Sequence, residues 1–310
     1  MYLRDGLRIG AQQHLFIGDC DTVQLAEEFG TPLYVMDERY LRNMCRTFVR
    51  AMKKYAPSGR VSYASKAFTN RAMCRIMEQE EMGIDVVSGG ELYTAMEAGF
   101  PMERVTLHGN VKTYQEMALA VQSGVGRIVL DSRDEIGVLQ RIAASEKKTV
   151  RVLIRLNPGI EAHTHQSIQT ARVDCKFGLG IDDGEALQAV KDVMASPNLR
   201  LMGVHTHIGS QIFELAPYYQ ALDKLTDFMV LCTVVTGCEM CELNLGGGFG
   251  VRYTEKDDPI APEIVIRHMA ESLQSFCARK GMHMPILMIE PGRAIVAEAG
   301  ISLYTIEAIK

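Results

Sequence analysis

Lys66 lies in the run YASKA, Glu290 opens EPGR with Arg293 at its end, and the glycine run GGGFG fills positions 246–250. A lysine leaving a buried apolar strand is suited to Schiff-base chemistry with an aldehyde, because desolvation lowers an amine's pKa and frees its lone pair. Taken alone, it reads first as a side chain snorkelling to solvent. Glycines leave room for successive amides to turn toward a phosphate. The run does not match G-x-G-x-x-G and no helix opens directly after it, so a dinucleotide-binding reading fails on spacing. Arg293 offers a planar fork to phosphate or carboxylate, and Glu290 offers a carboxylate; a structural Glu–Arg ion pair is the plainer alternative. His205 and His207 stand two apart on one expected strand and so face the same way, a spacing that metals also use. A metal-dependent barrel hydrolase would want H-x-H on its first strand and an aspartate on its last, where this sequence carries a lysine and a glutamate. No metal is therefore expected: His207 suits a flat imidazole over a planar ring, and His205 a deeper hydrogen-bonded position. His163 and His165 repeat the spacing in a loop, where substrate-facing and solvated roles stay open. Cys238 and Cys241 form a lone C-x-x-C with no second pair at zinc-ribbon spacing, and read as reduced structural thiols.

Such residues need a scaffold that gathers them. From Val61 onward, short β-rich runs alternate with longer helical stretches, the pattern of a parallel sheet with crossover helices. The runs are Val61–Ser65, Ile84–Val87, Val105–His108, Ile128–Asp131, Val150–Leu156, Met202–His207, Glu242–Leu245 and Ile286–Glu290. Each is nearly continuously apolar, as a strand covered on both faces should be. Asn70–Met82, Lys112–Gln122, Glu185–Met194 and Ala261–Lys280 read as amphipathic helices between them. The run starts lie roughly 32 residues apart, about one βαβ unit. The expected fold class is an α/β protein, a (β/α)8 TIM barrel spanning residues 56–298. Residues 1–55 form an N-terminal segment, and residues 299–310, with the strand-like ISLYTIEAIK, the start of a second β-domain whose remnants occupy both chain ends. Such a tail strand would leave an edge unpaired. Barrel active sites sit at the carboxyl ends of the strands. Lys66, Asp131, His207, the glycines from Gly246 and the Glu290–Arg293 run all fall there, and the loops after the last two strands are where barrels commonly seat phosphate.

The chain has 310 residues, 47% of them hydrophobic and 23% charged, with a net charge of −5. That composition suits a globular protein with a large core and gives no basic excess for nucleic acid or an anionic membrane surface. The first twenty residues lack the apolar core of a signal peptide, and the longest apolar stretch, near Phe228–Val235, is far short of a bilayer span. A cytoplasmic protein acting on a small molecule is expected. One ligand satisfies an amine that wants an aldehyde, a glycine-and-arginine phosphate seat and a carboxylate able to keep a heterocyclic nitrogen protonated: pyridoxal 5′-phosphate. A protonated pyridine is the full electron sink that decarboxylation requires, whereas an arginine in place of Glu290 would suit racemisation.

The motifs YASKA, GIDVVSGGEL (83–92), HGNVK (108–112), RLNPG (155–159), KFG (176–178), HTHIGSQ (205–211), LNLGGGFG (243–250) and EPGR (290–293) closely resemble those of the diaminopimelate decarboxylases. The likeness runs in order from about Phe16 to the end, and HTHIGSQ with the AHTHQSIQTARVDCKFG stretch is closer to that branch than to the ornithine and arginine decarboxylases. The resemblance implies an alanine racemase-like barrel binding pyridoxal 5′-phosphate. Lys66 would carry the cofactor, His207 would stack on its ring and Glu290 would hold its pyridine nitrogen. Asp85, Ser210, Gly246, Gly247, Gly248, Gly292 and Arg293 would complete the cofactor site, with Arg293 also near the substrate. The reaction implied is loss of CO2 from meso-2,6-diaminopimelate to give L-lysine, in a cytoplasmic homodimer with a shared active site. In that family a C-terminal β-domain follows, with a Cys-Glu element donated across the dimer and further substrate-binding Arg and Tyr residues. Without them, a shortened chain is expected to bind the cofactor and decarboxylate poorly or not at all. The alternatives are a stand-alone barrel that binds pyridoxal phosphate without catalysis, a related ornithine- or arginine-type decarboxylase, and a metal-dependent hydrolase.

Overall fold

The computed structural model describes residues 6–160 and 176–309. Strands β1 (Leu7–Ile9), β2 (Leu15–Ile17) and β3 (Cys20–Asp21) form a small antiparallel sheet. Helix α1 (Thr22–Phe29), strand β4 (Leu33–Met36) and helix α2 (Glu38–Tyr55) then lead into an alternating series. Its first half is β5 (Arg60–Ala64), α3 (Arg71–Gln79), β6 (Gly83–Val86), α4 (Gly89–Glu97), β7 (Val105–Leu107), α5 (Tyr114–Ser123), β8 (Arg127–Leu130), α6 (Asp134–Ser145) and β9 (Val150–Asn157). Beyond residue 175 come β10 (Leu179–Gly180), α7 (Glu185–Met194), β11 (Leu199–His205), α8 (Ala216–Thr236), β12 (Glu242–Asn244), α9 (Pro262–Lys280), β13 (Ile286–Ile289), α10 (Arg293–Val296) and β14 (Gly300–Leu303).

Strands β5, β6, β7, β8, β9, β11, β12 and β13 pair in parallel in that order, and β13 returns to β5 through Met288 opposite Arg60 and Ile289 opposite Val61. The eight expected strands thus close a (β/α)8 barrel. Several end one or two residues sooner than the apolar pattern suggested, and in five of them the residue that terminates the run and lies beyond the ladder is polar: Ser65, His108, Asp131, His207 and Glu290. The sixth begins earlier, at Leu199, and carries a bulge between Leu201 and Gly203. Gly203 is required there: a Cβ would sit 1.7 Å from the Glu242 carbonyl oxygen.

The helices bury one face each. In α2 the buried Leu41, Cys45, Phe48 and Met52 recur at spacings of three and four, and Asp37 caps the helix by accepting the Tyr40 amide at 3.1 Å. This helix precedes the barrel in sequence yet packs beside α9 and the short α10, filling the place that a full helix after β13 would occupy. The expected tail strand is β14, and it pairs antiparallel with β4, Leu303 opposite Leu33 and Gly300 opposite Met36.

Side chains alternate between the helix-facing side and the barrel interior. The outward set forms the main apolar cluster, with Tyr63, Ile84, Leu107, Ile128 and Leu243 packed beneath the helices. The interior is unusually polar at both ends, with Val129, Leu153 and Met288 as a buried apolar layer across the middle. Below that layer, Arg127 forks onto Glu242, its Nε donating at 2.5 Å to Oε2 and its Nη2 to Oε1, and Arg60 Nη1 adds a contact at 3.2 Å. Breaking a buried ion pair from one side strands the other charge, at a cost of about 3–5 kcal/mol. Glu242→Ala should lower the unfolding free energy measured in urea accordingly, whereas Arg151→Ala on the open rim of the same end should change it by less than about 0.5 kcal/mol.

Candidate active site

Two adjoining cavities, of about 580 and 290 Å³, open at the carboxyl ends of the barrel strands and share Lys66, Asp85, His207 and Glu290 as lining. Lys66 does not lie at a strand end. It sits on a single 3-10 turn, Ser65–Ala67, that follows β5, and its side chain is exposed to the cavity rather than buried among apolar groups. The burial expected for Lys66 is therefore absent from the polypeptide alone. The turn is nevertheless fixed: Ser65 Oγ donates to Glu91 Oε2 at 2.5 Å, Glu91 also accepts the Val87 amide at 2.8 Å, and Tyr63 Oη donates to the Phe68 carbonyl at 2.7 Å.

Glu290 follows β13 directly and is buried. Asn244 Nδ2 donates to it at 2.6 Å, His205 Nε2 lies 3.1 Å from Oε2, and His108 Nε2 approaches Oε1 to 3.0 Å. Burial opposes ionisation of this carboxyl, but the neighbouring His108 and His205 outweigh it and hold Glu290 well below the usual carboxylate range. Asp85, from β6, lies 3.3 Å from His108. Its burial dominates and pushes it up to about 7, against the lowering influence of His108. Burial also keeps His205 neutral, down to about 4, whereas in His108 the paired Asp85 and Glu290 overcome burial and raise it. Asp85 Oδ1, His108 Nε2 and His205 Nδ1 are sealed from solvent; the first two are held by ion-pair contacts without a well-aligned hydrogen bond, and His205 Nδ1 has no partner among the described residues.

His207 lies beyond β11, half-buried over the cavity. The Gly247 amide donates to its Nδ1 at 3.2 Å, which makes that nitrogen the acceptor and leaves the proton on Nε2. Burial first, then the charges of Lys66 and Arg155, hold His207 well below its ordinary value. The glycines are there for close approach. A Cβ on Gly246 would meet the Thr206 carbonyl at 2.6 Å and His207 Nδ1 at 2.9 Å, at a φ of 67° that other residues rarely adopt. On the opposite rim, Arg293 Nε donates to Ser210 Oγ at 3.1 Å and Nη1 to Tyr253 Oη at 2.7 Å, so the guanidinium is aimed along the rim beside Gly247, Gly248 and Gly292. The bland Glu290–Arg293 ion pair does not form: Glu290 engages the two histidines and Asn244, and Arg293 the two hydroxyls.

The matching family model is the pyridoxal-dependent decarboxylase, pyridoxal binding domain, over residues 41–297. Diaminopimelate decarboxylase of Halalkalibacterium halodurans is 42% identical over 310 residues, all of this chain and 71% of that protein. The Bacillus subtilis enzyme of the same name is 41% identical over the same shares. The chain belongs to the diaminopimelate decarboxylase family. Among solved structures, the diaminopimelate decarboxylase of M. jannaschii superposes with a TM-score of 0.87 at 33% identity, covering 96% of this chain and 68% of that one, and a second structure of it is a co-complex with L-lysine. Decarboxylases of this family use pyridoxal phosphate, and the cavity fits it: a free amine, an ionised buried carboxylate among orphaned polar atoms, and a glycine-lined rim with a guanidinium.

The expected site residues Lys66, Asp85, His207, Ser210, Gly247, Gly248, Glu290, Gly292 and Arg293 all line the larger cavity, and Gly246 packs behind it against His207. His163, His165 and most of the AHTHQSIQTARVDCKFG stretch fall outside the described residues. The sequence marks His108 only as the polar end of its run, and gives Arg155, Asn244 and Tyr253 no place in the site. The first three could have been found by extending the inward period of two along their strands; Tyr253 lies in a loop and gives no such signal. His108, His205 and Glu290 offer ligand atoms within 4.8 Å of one another, a metal-like group whose atoms already engage each other.

The shifts make opposing contributions to stability between about pH 4 and 7. Folded Asp85 keeps a proton, up to about 7, that the unfolded chain releases near 3.9, so it favours folding as pH falls. Folded His205 refuses, down to about 4, a proton that the unfolded chain binds near 6.5, so it disfavours folding over the same descent. Asp85→Asn removes the first contribution and, by withdrawing the main charge that raises His108, part of a His108 contribution of the same sign, while that of His205 remains. The variant's urea midpoint should fall more steeply than wild type between pH 7 and pH 5; parallel curves would contradict the assignment.

Proposed function

We propose that this chain carries the cofactor-bearing site of a diaminopimelate decarboxylase and that the residues gathered at the barrel mouth divide the work as follows. Lys66 Nζ would hold pyridoxal 5′-phosphate. Glu290, ionised by its histidine neighbours, would keep a proton on the pyridine nitrogen. His207, its tautomer set by the Gly247 amide, would cover the ring. The amides of Gly246–Gly248, Gly292, Ser210 and Arg293 would hold the phosphate, Arg293 would also reach substrate, and Asp85 would complete the ring's surroundings. The observation that carries this reading is the convergence of Lys66, His207 and Glu290 on one cavity whose far rim is the Ser210–Arg293–Tyr253 cluster.

The bound cofactor supplies an electron sink for the pair left at Cα when CO2 departs. The chain's part is to hold the acid at the ring nitrogen, orient the reacting carboxylate and keep the imidazole uncharged over the ring. The substrate assigned is meso-2,6-diaminopimelate and the product L-lysine, on the strength of the relatives' names and the L-lysine co-complex of a structural neighbour. A homodimer with a shared active site and a cytoplasmic location belong to the same proposal. Among the described residues no helix is long and apolar enough to cross a membrane.

Borohydride reduction of the protein loaded with pyridoxal phosphate, followed by peptide mapping, should tag Lys66 and leave Lys66→Ala unlabelled; a tag on another lysine overturns the cofactor assignment. Glu290→Gln should still be tagged at Lys66 but lose on the order of 10²-fold in kcat, as removal of a charged group acting at the reacting system does. Faster CO2 release from ornithine or arginine than from meso-diaminopimelate would overturn the substrate.

A further inference from the structure

The barrel has a second charged mouth that the decarboxylation site does not use. A cavity of about 420 Å³ opens at the amino ends of the strands, and none of its lining residues belongs to either cavity at the carboxyl ends. Arg60 of β5, Arg127 of β8 and Arg151 of β9 line it from the barrel, with Lys53 of α2 and Arg104 from the turn before β7. The buried layer of Val129, Leu153 and Met288 separates it from the polar network above.

Its charges do not balance internally. Lys53 pairs with Glu81, and Arg104 Nη2 donates to the Met82 carbonyl. Glu242 is the carboxylate that Arg127 and Arg60 share, and Glu103 is the remaining acid in the lining. Lys53, Arg60, Arg104, Arg127 and Arg151 thus face Glu81, Glu103 and Glu242, a local positive surplus in a chain whose net charge is −5. The donors are unspent as well. Glu242 engages only Nη1 of Arg60 and only Nε and Nη2 of Arg127, while the Arg151 side chain has no ion pair or hydrogen bond among the described residues. Arg151's register neighbour on β11 is Arg200, a like charge. Arg127 is itself more than nine-tenths buried, so part of the cluster is built into the floor rather than waving in solvent. The crowding is felt by Arg60, whose guanidinium is pushed below its ordinary range by burial and then by Arg127.

We infer that this floor cavity is an anion site, taking a small multivalent oxyanion of the phosphate class between Arg60, Arg127 and Arg151. Guanidinium forks with free N–H groups match the geometry of phosphate oxygens, and the cavity lies within the size range of small-ligand sites. This inference is independent of the cofactor assignment at the opposite mouth.

Inorganic pyrophosphate is the probe, titrated by calorimetry and followed by hydrogen exchange on the full chain, with sodium chloride at matched ionic strength as the control. Saturable binding is expected, with slowed exchange in peptides covering residues 58–62, 125–128 and 149–152. Arg151→Glu should weaken it at least tenfold and Arg151→Gln by less; both side chains replace an exposed one, so folding is preserved. Equal protection by sodium chloride, unchanged affinity in both variants, or protection confined to peptides carrying Gly246–Gly248 and Arg293 would overturn the proposal.

Discussion

A negative charge buried at the mouth of a barrel sets the terms for everything around it. The Glu290 carboxylate has left water, and such a group ionises only if its surroundings return what solvation supplied. Asn244, His205 and His108 do so from β12, from β11 and from just beyond β7, on both sides of the lumen. The polar interior at this end follows from that requirement. Asp85 takes the opposite course, up to about 7, because it is equally buried but has a single histidine neighbour that it shares with Glu290. Two carboxyls about one histidine, driven apart in proton affinity, form the acid and base environment that a ring nitrogen would meet.

The rim obeys a different constraint, close approach rather than charge. Successive loops are clipped to one another: the Ile212 amide donates to the Gly248 carbonyl at 2.9 Å, and Gln211 exchanges hydrogen bonds with Val251 in both directions. A side chain on Gly292 would press on Ala64 and Ala67, the walls of the turn that carries Lys66. With a Cβ 3.0 Å from Ala64 and 3.2 Å from Ala67, the loop after the last strand could keep its place against the loop after the first only if these neighbours gave way by a few tenths of an ångström. Barrel closure makes these sequence-distant loops neighbours, and the missing Cβ lets them touch.

The two ends of the barrel differ in what they do with charge. At the carboxyl end the buried groups are orphaned or shared, leaving hydrogen-bonding capacity directed into a cavity. At the amino end Arg127 spends Nε and Nη2 on Glu242 in a bidentate pair, and the surplus lies with its remaining N–H groups and with the arginines on the rim. The buried apolar residues Val129, Leu153 and Met288 lie between the two, and a single lumen supports two electrostatic environments.

Much of this was legible in the sequence. Eight apolar runs at regular spacing, each ending in polar residues, determined the barrel and named Lys66, His207, Glu290 and Arg293, because strand length and period are local properties of the chain. The motifs in register from YASKA to EPGR determined the family. What only the tertiary structure decided is which strand ends face each other across the lumen. His108 reaches Glu290 although two strands separate β7 from β13 around the wall, and no local pattern encodes that meeting. Tyr253 on Arg293, α2 in the place of the eighth helix, and the exposure of Lys66 on a turn beyond its strand are of the same kind. Each depends on how the sheet closes and how far each loop carries its side chain past the last ladder bond, quantities set by the whole barrel and not by any one of its segments.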